Sequence, residues 1–133
     1  MKVEHLGIAV ANLEEGEALY EFLLQEKSYK REKVEGEGVL TSFFRAGETK
    51  VELLEATRPD SPIAKFIEKR GPGLHHIAFS VPDIRAEMNR LAAAGYRLLN
   101  QEPKKGADNK LVCFIHPKDG QGVLIELCQD IGA

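Results

Sequence analysis

The sequence predicts an α+β fold made of two tandem βαβββ modules, and three observations carry that expectation. His5-Leu6-Gly7-Ile8-Ala9-Val10-Ala11-Asn12-Leu13 lines up with His76-Ile77-Ala78-Phe79-Ser80-Val81-Pro82-Asp83-Ile84 at an offset of 71. Val51-Glu52-Leu53-Leu54 lines up with Ile125-Glu126-Leu127-Cys128 at an offset of 74. Each half therefore opens on a histidine-bearing strand and closes on a glutamate-bearing one. The same order at nearly the same spacing is the mark of an internal repeat.

Residues 3–10 are β-branched and apolar, as a strand requires, and Asn12 then reads as the N-cap of a helix. Leu19, Phe22 and Leu23 recur in that helix at three- and four-residue steps and are expected to form its buried stripe. Strands follow at 29–34, 39–45 and 50–55, the last two joined by a turn at Gly47. Asp60-Ser61-Pro62 opens a linker helix over about 60–71, in whose first turn proline is tolerated. Ile63, Phe66 and Ile67 form its apolar stripe, and Gly71-Pro72-Gly73 ends it. The second half repeats the first: a strand at 74–81, Asp83 as N-cap, and a helix through Met88, Leu91 and Ala92 to Gly95. Strands at 96–99, 111–116 and 122–128 complete it. Neither module (about 1–57 and 73–130) is large enough to be comfortable alone, so a single domain over 1–133 is expected.

The 133 residues are 43% hydrophobic and 29% charged, which excludes a disordered chain, and no apolar run is long enough for a membrane span. The net charge of −3 gives no nucleic-acid footprint, and no signal or transit peptide is read at the start. Two cysteines, Cys113 and Cys128, make no disulfide framework, so reduced thiols in a cytoplasmic protein are expected. There is no GxGxxG at a strand–helix junction and no phosphate loop, which removes the usual signatures of nicotinamide and ATP chemistry.

Strand side chains alternate between faces. Leu6, Ile8 and Val10 share one face and oppose His5, Gly7 and Ala9; Ile77, Phe79 and Val81 oppose His76, Ala78 and Ser80. The bulky sets are expected against the helices, and small residues beside each histidine leave room on the other face. Glu52 and Glu126 fall on that same face, since Val51, Leu53, Ile125 and Leu127 take the helix side. Two imidazoles and two carboxylates suit a divalent transition metal such as Zn, Ni, Co, Mn or Fe. His5, Glu52, His76 and Glu126 are therefore the candidate metal ligands. His75 points away from His76 and reads as structural or supporting, His116 as a loop or substrate contact, and Asp119, Glu35 and Glu37 as solvated loop charges. Neither thiol stands beside a plausible general base.

These residues resemble the vicinal oxygen chelate superfamily and, within it, the methylmalonyl-CoA epimerases over essentially the full length. The segments that carry the resemblance are Val3 to Ala9, Asp60 to Phe66, Gly73 to Phe79 and, most specific, His116-Pro117-Lys118 through Gly122 to Leu127. The resemblance implies a half-open mixed-sheet cup and one divalent metal per chain on His5, Glu52, His76 and Glu126. It also implies an acyl-CoA thioester substrate, methylmalonyl-CoA, and a homodimer, with no nucleic-acid or membrane partner. Two positions depart from the epimerase pattern. Glu52 stands where those enzymes often carry Gln and related lactoylglutathione lyases tend to carry Glu. Thr41 stands where some epimerases carry an acid/base glutamate. A lactoylglutathione lyase and a non-catalytic small-molecule-binding module are the alternative readings.

Inverting the carbon between a thioester and a carboxylate means removing its proton on one face and returning one on the other, through an enolate whose charge a cation stabilises. A carboxylate held firmly by a divalent cation is a poor base. At least one glutamate is then loosely held: Glu126 is the expected proton carrier, with Glu52 or a loop group such as Glu37 as partner. Lys104, Lys105, Lys110 and Lys118 could form a basic rim for the phosphates of coenzyme A.

Overall fold

A computed structural model describes residues 1–132. Two compact units emerge: one runs from His5 to His75, and the other from His76 onward together with Met1–Glu4. The first holds β1 (Lys2–Ala9) from His5 on, α1 (Leu13–Leu24), β2 (Lys30–Val34), a 3-10 turn (Glu35–Glu37), β3 (Val39–Ala46), β4 (Thr49–Ala56) and α2 (Pro62–Arg70). Its strands lie in the order β2-β3-β4-β1, with β1 parallel to β4 and the other neighbours antiparallel. The second unit holds β5 (Gly73–Ser80) from His76 on, α3 (Ile84–Ala93), β6 (Lys104–Lys105), β7 (Lys110–Ile115) and β8 (Ile125–Asp130), in the order β5-β8-β7-β6. Again the parallel pair, β5 with β8, joins the histidine strand to the glutamate strand. The βαβββ order expected from the repeat is present in both halves.

The helix starts are built alike. Asn12 accepts a hydrogen bond from the Glu15 backbone at 2.9 Å, and Asp83 accepts one from Ala86 at 3.1 Å. In each unit a side chain near the end of the glutamate strand accepts a further amide. Leu13 N donates to Glu55 at 2.9 Å and Ile84 N to Gln129 at 2.8 Å, which ties each helix to its sheet.

One helix lies differently from expectation. Leu19, Phe22 and Leu23 are exposed, Phe22 to 87%, and the inward side of α1 is Leu13, Tyr20 and Leu24. Two contacts explain the rotation. A Cβ on Gly16 would stand 3.1 Å from Val10 and 3.2 Å from Leu53, so glycine lets this face approach the sheet. Glu17 accepts hydrogen bonds from Arg31 on β2 and Ser42 on β3, which pins the same face. The expected strand at 96–99 shrinks to a single bridge, Leu98 to Ile115, and the strand paired with β7 on the side away from β8 is the short β6. Arg97 explains this, because its amide and guanidinium both donate to Asp119 rather than extending a ladder.

Each unit packs apolar side chains on both faces of its sheet. In the first, Leu13, Phe44, Val51 and Leu53 form the core under α1, and Ala9, Val39, Leu54 and Ile63 form a second core under α2. Ala9 is thus covered by the linker helix rather than left open. In the second unit, Val81, Ile84, Met88, Cys113 and Leu127 form the α3 core. Ala78, Val112 and Cys128 cluster on the opposite face, so the two thiols lie on different faces of adjacent strands. Burial pushes the Cys113 thiol up to about 11, which makes it unreactive as a nucleophile.

Candidate metal centre

Each unit contains one buried histidine–glutamate pair. In the first, His5 Nδ1 lies 3.1 Å from Glu52 Oε2; in the second, His76 Nε2 lies 3.2 Å from Glu126 Oε1. All four side chains are excluded from solvent: His5 is 4% exposed, Glu52 3%, His76 6% and Glu126 5%. Within each unit the strand register brings the histidine and its glutamate together. Glu52 is aligned with Gly7 and Glu126 with Ala78 across the parallel ladders, so each glutamate sits beside the small residue two places after its histidine.

Phe43 and Phe114 were not singled out by sequence reasoning, yet they stand directly cross-strand from Glu52 and Glu126. The two are 71 residues apart, the offset of the histidine repeat, and that spacing was the signal available. Phe114 also meets the His76 ring edge-on, with centroids 6.1 Å apart at 85°.

The donor chemistry fits a divalent transition metal. With neutral imidazoles each pair holds one buried negative charge, which is unfavourable unless a positive group compensates it. A nitrogen and an oxygen each about 2.0–2.2 Å from one ion stand roughly 3.0–3.5 Å apart, the separation seen in both pairs. His5, Glu52, His76 and Glu126 all present ligand atoms of the kind that could hold an ion.

The other candidates separate cleanly. His75 packs edge-on against Phe66 of α2, centroids 5.0 Å apart, and so has the structural place expected of it. Burial pushes it down to about 4, with the Glu37 charge opposing, so it is neutral at pH 7. In the unfolded chain the same imidazole titrates near 6.5, so on acidification the unfolded state takes up a proton that the folded state refuses. Stability should fall as the pH drops from about 6.5 to about 4, by roughly 3 kcal/mol, and level off below. Urea titrations at intervals across that range check this, and His75→Leu should flatten the profile.

Asp119 is not a plain solvated charge. Its hydrogen bonds from Arg97 hold its carboxyl down at about 2. His116 Nδ1 accepts the Lys118 amide in the same loop. A side chain at Gly120 would strike the Val123 carbonyl at 2.3 Å, so the turn that leads into β8 and Glu126 requires glycine. Lys110 is not part of a basic rim: it is buried and paired with Glu4, at 3.8 Å, and with Asp130. Lys104, Lys105 and Lys118 are exposed. Thr41 is buried, and its hydroxyl has no hydrogen-bond partner among the described residues. No described helix is long and apolar enough to cross a membrane.

Comparison with known proteins accords with this arrangement. Residues 4–114 match the Glyoxalase/Bleomycin resistance protein/Dioxygenase superfamily. Uncharacterized protein YqjC of Bacillus subtilis is 38% identical over 98% of this chain and 94% of its own. Ethylmalonyl-CoA/methylmalonyl-CoA epimerase of Cereibacter sphaeroides is 42% identical over 96% of this chain and 97% of its own. Among solved structures, a variant of Streptomyces coelicolor methylmalonyl-CoA epimerase in complex with 2-nitronate-propionyl-CoA superposes with a TM-score of 0.94. It is 33% identical, and the match covers 99% of both chains. The repeat, the α+β glyoxalase-like fold and the paired His–Glu strands thus have one explanation: this chain belongs to the Glyoxalase/Bleomycin resistance protein/Dioxygenase superfamily and is similar along its length to methylmalonyl-CoA epimerases.

Proposed function

We propose that this protein is a metal-dependent epimerase that interconverts the 2R and 2S forms of methylmalonyl-CoA. The observation that carries the reading is the duplicated, buried His–Glu pair, His5 with Glu52 and His76 with Glu126. Full-length similarity to proteins named as epimerases of this substrate supports the same reading. His5, Glu52, His76 and Glu126 would hold one divalent cation, of Co, Ni, Mn, Zn or Fe. When bound, that ion supplies positive charge where negative charge develops on the thioester oxygen.

The chain's own residues do the rest. Glu126, paired in register with Ala78 and Phe114, carries a proton to or from C2 of the acyl group. Apolar neighbours around the His76–Glu126 pair exclude water, which strengthens each charge interaction there. Exposed lysines such as Lys104 and Lys118 offer contacts for coenzyme A phosphates.

Purified protein incubated with each epimer in deuterated buffer should produce the other epimer and place deuterium at C2. Formation of a lactoyl thioester from the glutathione–methylglyoxal adduct, with no label in methylmalonyl-CoA, would overturn the proposal in favour of lyase chemistry. No turnover of either, with no cation retained or taken up on dialysis, would leave a small-molecule-binding module instead.

A further inference from the structure

Epimerisation needs two proton carriers, and Glu126 is only one. We infer that Glu32, on β2, is the second, and that the buried hydroxyl of Thr41 positions it; this rests on the proposed epimerase reading.

The strand register selects Glu32. Phe43 is paired with Glu52 on one side and Lys30 on the other, while Thr41 is paired with Leu54 and Glu32. Residues paired across an antiparallel ladder project to the same face. Glu32, Thr41 and Glu52 therefore share one face of the first unit's sheet. Strands β2 to β4 carry one further carboxylate, Glu55, and it lies on the other face, where it accepts the Leu13 amide of α1. Glu52 and Glu126 are both proposed cation ligands, and with Glu126 taken as the loosely held one, Glu52 is the firmly held carboxylate and hence the weaker base. Glu32 is different: its carboxylate is about one-third exposed, and its ion pair with Lys30 is long at 3.6 Å.

Thr41 gives the second, independent observation. It is 1% exposed, and its hydroxyl is the buried side-chain polar atom left without a partner among the described residues. In the second unit the equivalent place is Val112, which pairs with Cys128 as Thr41 pairs with Leu54. Valine has nearly the shape of threonine, so packing alone is satisfied without a hydroxyl. The neighbour in the same row also differs, Lys104 beside Val112 but Glu32 beside Thr41. The repeat has thus diverged at one row, into a hydroxyl with a carboxylate on one side and a methyl with an ammonium on the other. Cross-strand Cβ atoms stand about 4.5–5.5 Å apart, so a rotation of the Glu32 side chain brings its carboxylate within reach of the Thr41 O–H. That hydrogen bond satisfies the buried donor and fixes the carboxylate over the sheet face.

In one direction Glu32 accepts the C2 proton, and the C–H electron pair passes into the thioester carbonyl to form the enolate. Glu126 then returns a proton to C2. In the other direction the two exchange roles, and between turnovers in the same direction Glu32 releases its proton to water and Glu126 takes one up, so protons and electrons balance.

The test compares Glu32→Gln, Thr41→Val and Thr41→Ser with the parent protein in deuterated buffer, starting from each epimer separately. Glu35→Gln, a change at an exposed carboxylate beside Lys33, serves as control and should behave as the parent does. Glu32→Gln should lower epimerisation about 100-fold or more. It should retain cation content and melting temperature, and should still exchange the C2 hydrogen of the one epimer that Glu126 serves. Thr41→Val should lower kcat several-fold with KM and melting temperature held or improved, and Thr41→Ser should restore kcat. Parent-like epimerisation by Glu32→Gln, or equal loss of exchange from both epimers, would overturn the assignment. A parent protein that epimerises nothing overturns the underlying reading instead, which keeps the two failures distinct.

Discussion

Glu126→Gln should reduce epimerisation by about 10²–10⁴-fold and stop solvent deuterium entering C2. The substituted amide keeps the shape of the side chain and one oxygen donor, so the β7–β8 ladder and the fold should survive, as circular dichroism and melting would report. Glu126 is 5% exposed and lies 3.2 Å from His76, on a strand held by Phe114 and Ala78. Because it is both proton carrier and cation ligand in the proposal, exchange should fall from both epimers. The residual one-sided exchange expected of Glu32→Gln is the contrasting signature. Full deuterium entry in Glu126→Gln would dispose of its role.

His76→Ala is expected to have the other large effect, on cation content. The change deletes one proposed ligand and leaves the Glu126 carboxylate, still buried, without this imidazole. Disturbing even residues that only support metal ligands lowers affinity about 10–100-fold, so loss of a ligand should do at least that. Elemental analysis after dialysis against a metal buffer measures it. The loss of the hydrogen-bonding ring and of its contact with Phe114 should also reduce stability by about 2–3 kcal/mol, read by urea denaturation. Wild-type cation content in His76→Ala would remove His76 from the ligand set. His5→Ala, which breaks the 3.1 Å contact with Glu52, is the matching test in the other unit.

Much of this was legible because the sequence repeats itself. A repeat constrains two stretches at once: Glu52 and Glu126 could be placed on the face of the histidines by alternation alone, and both register sets agree. The same argument missed Phe43 and Phe114 because aromatic residues on strands are common and carry no signal by themselves. Helix α1 resisted reading for another reason. It is apolar on two sides, with Leu19, Phe22 and Leu23 on one and Leu13, Tyr20 and Leu24 on the other. Periodicity cannot choose between two such stripes; Gly16 and Glu17 choose, through contacts with Val10, Leu53, Arg31 and Ser42 that come from distant parts of the chain.

The sequence by itself determined the βαβββ order, the helix caps at Asn12 and Asp83, and the histidine and glutamate pairs, because these depend on local propensity and a two-residue period. Tertiary structure alone decided which side of α1 is buried, that Lys110 is a buried ion-pair partner rather than a surface cation, and that Thr41 stands beside Glu32. Those outcomes depend on which strands pair and in what register. That pairing is set by packing between residues far apart in the chain, and no local window of sequence contains it.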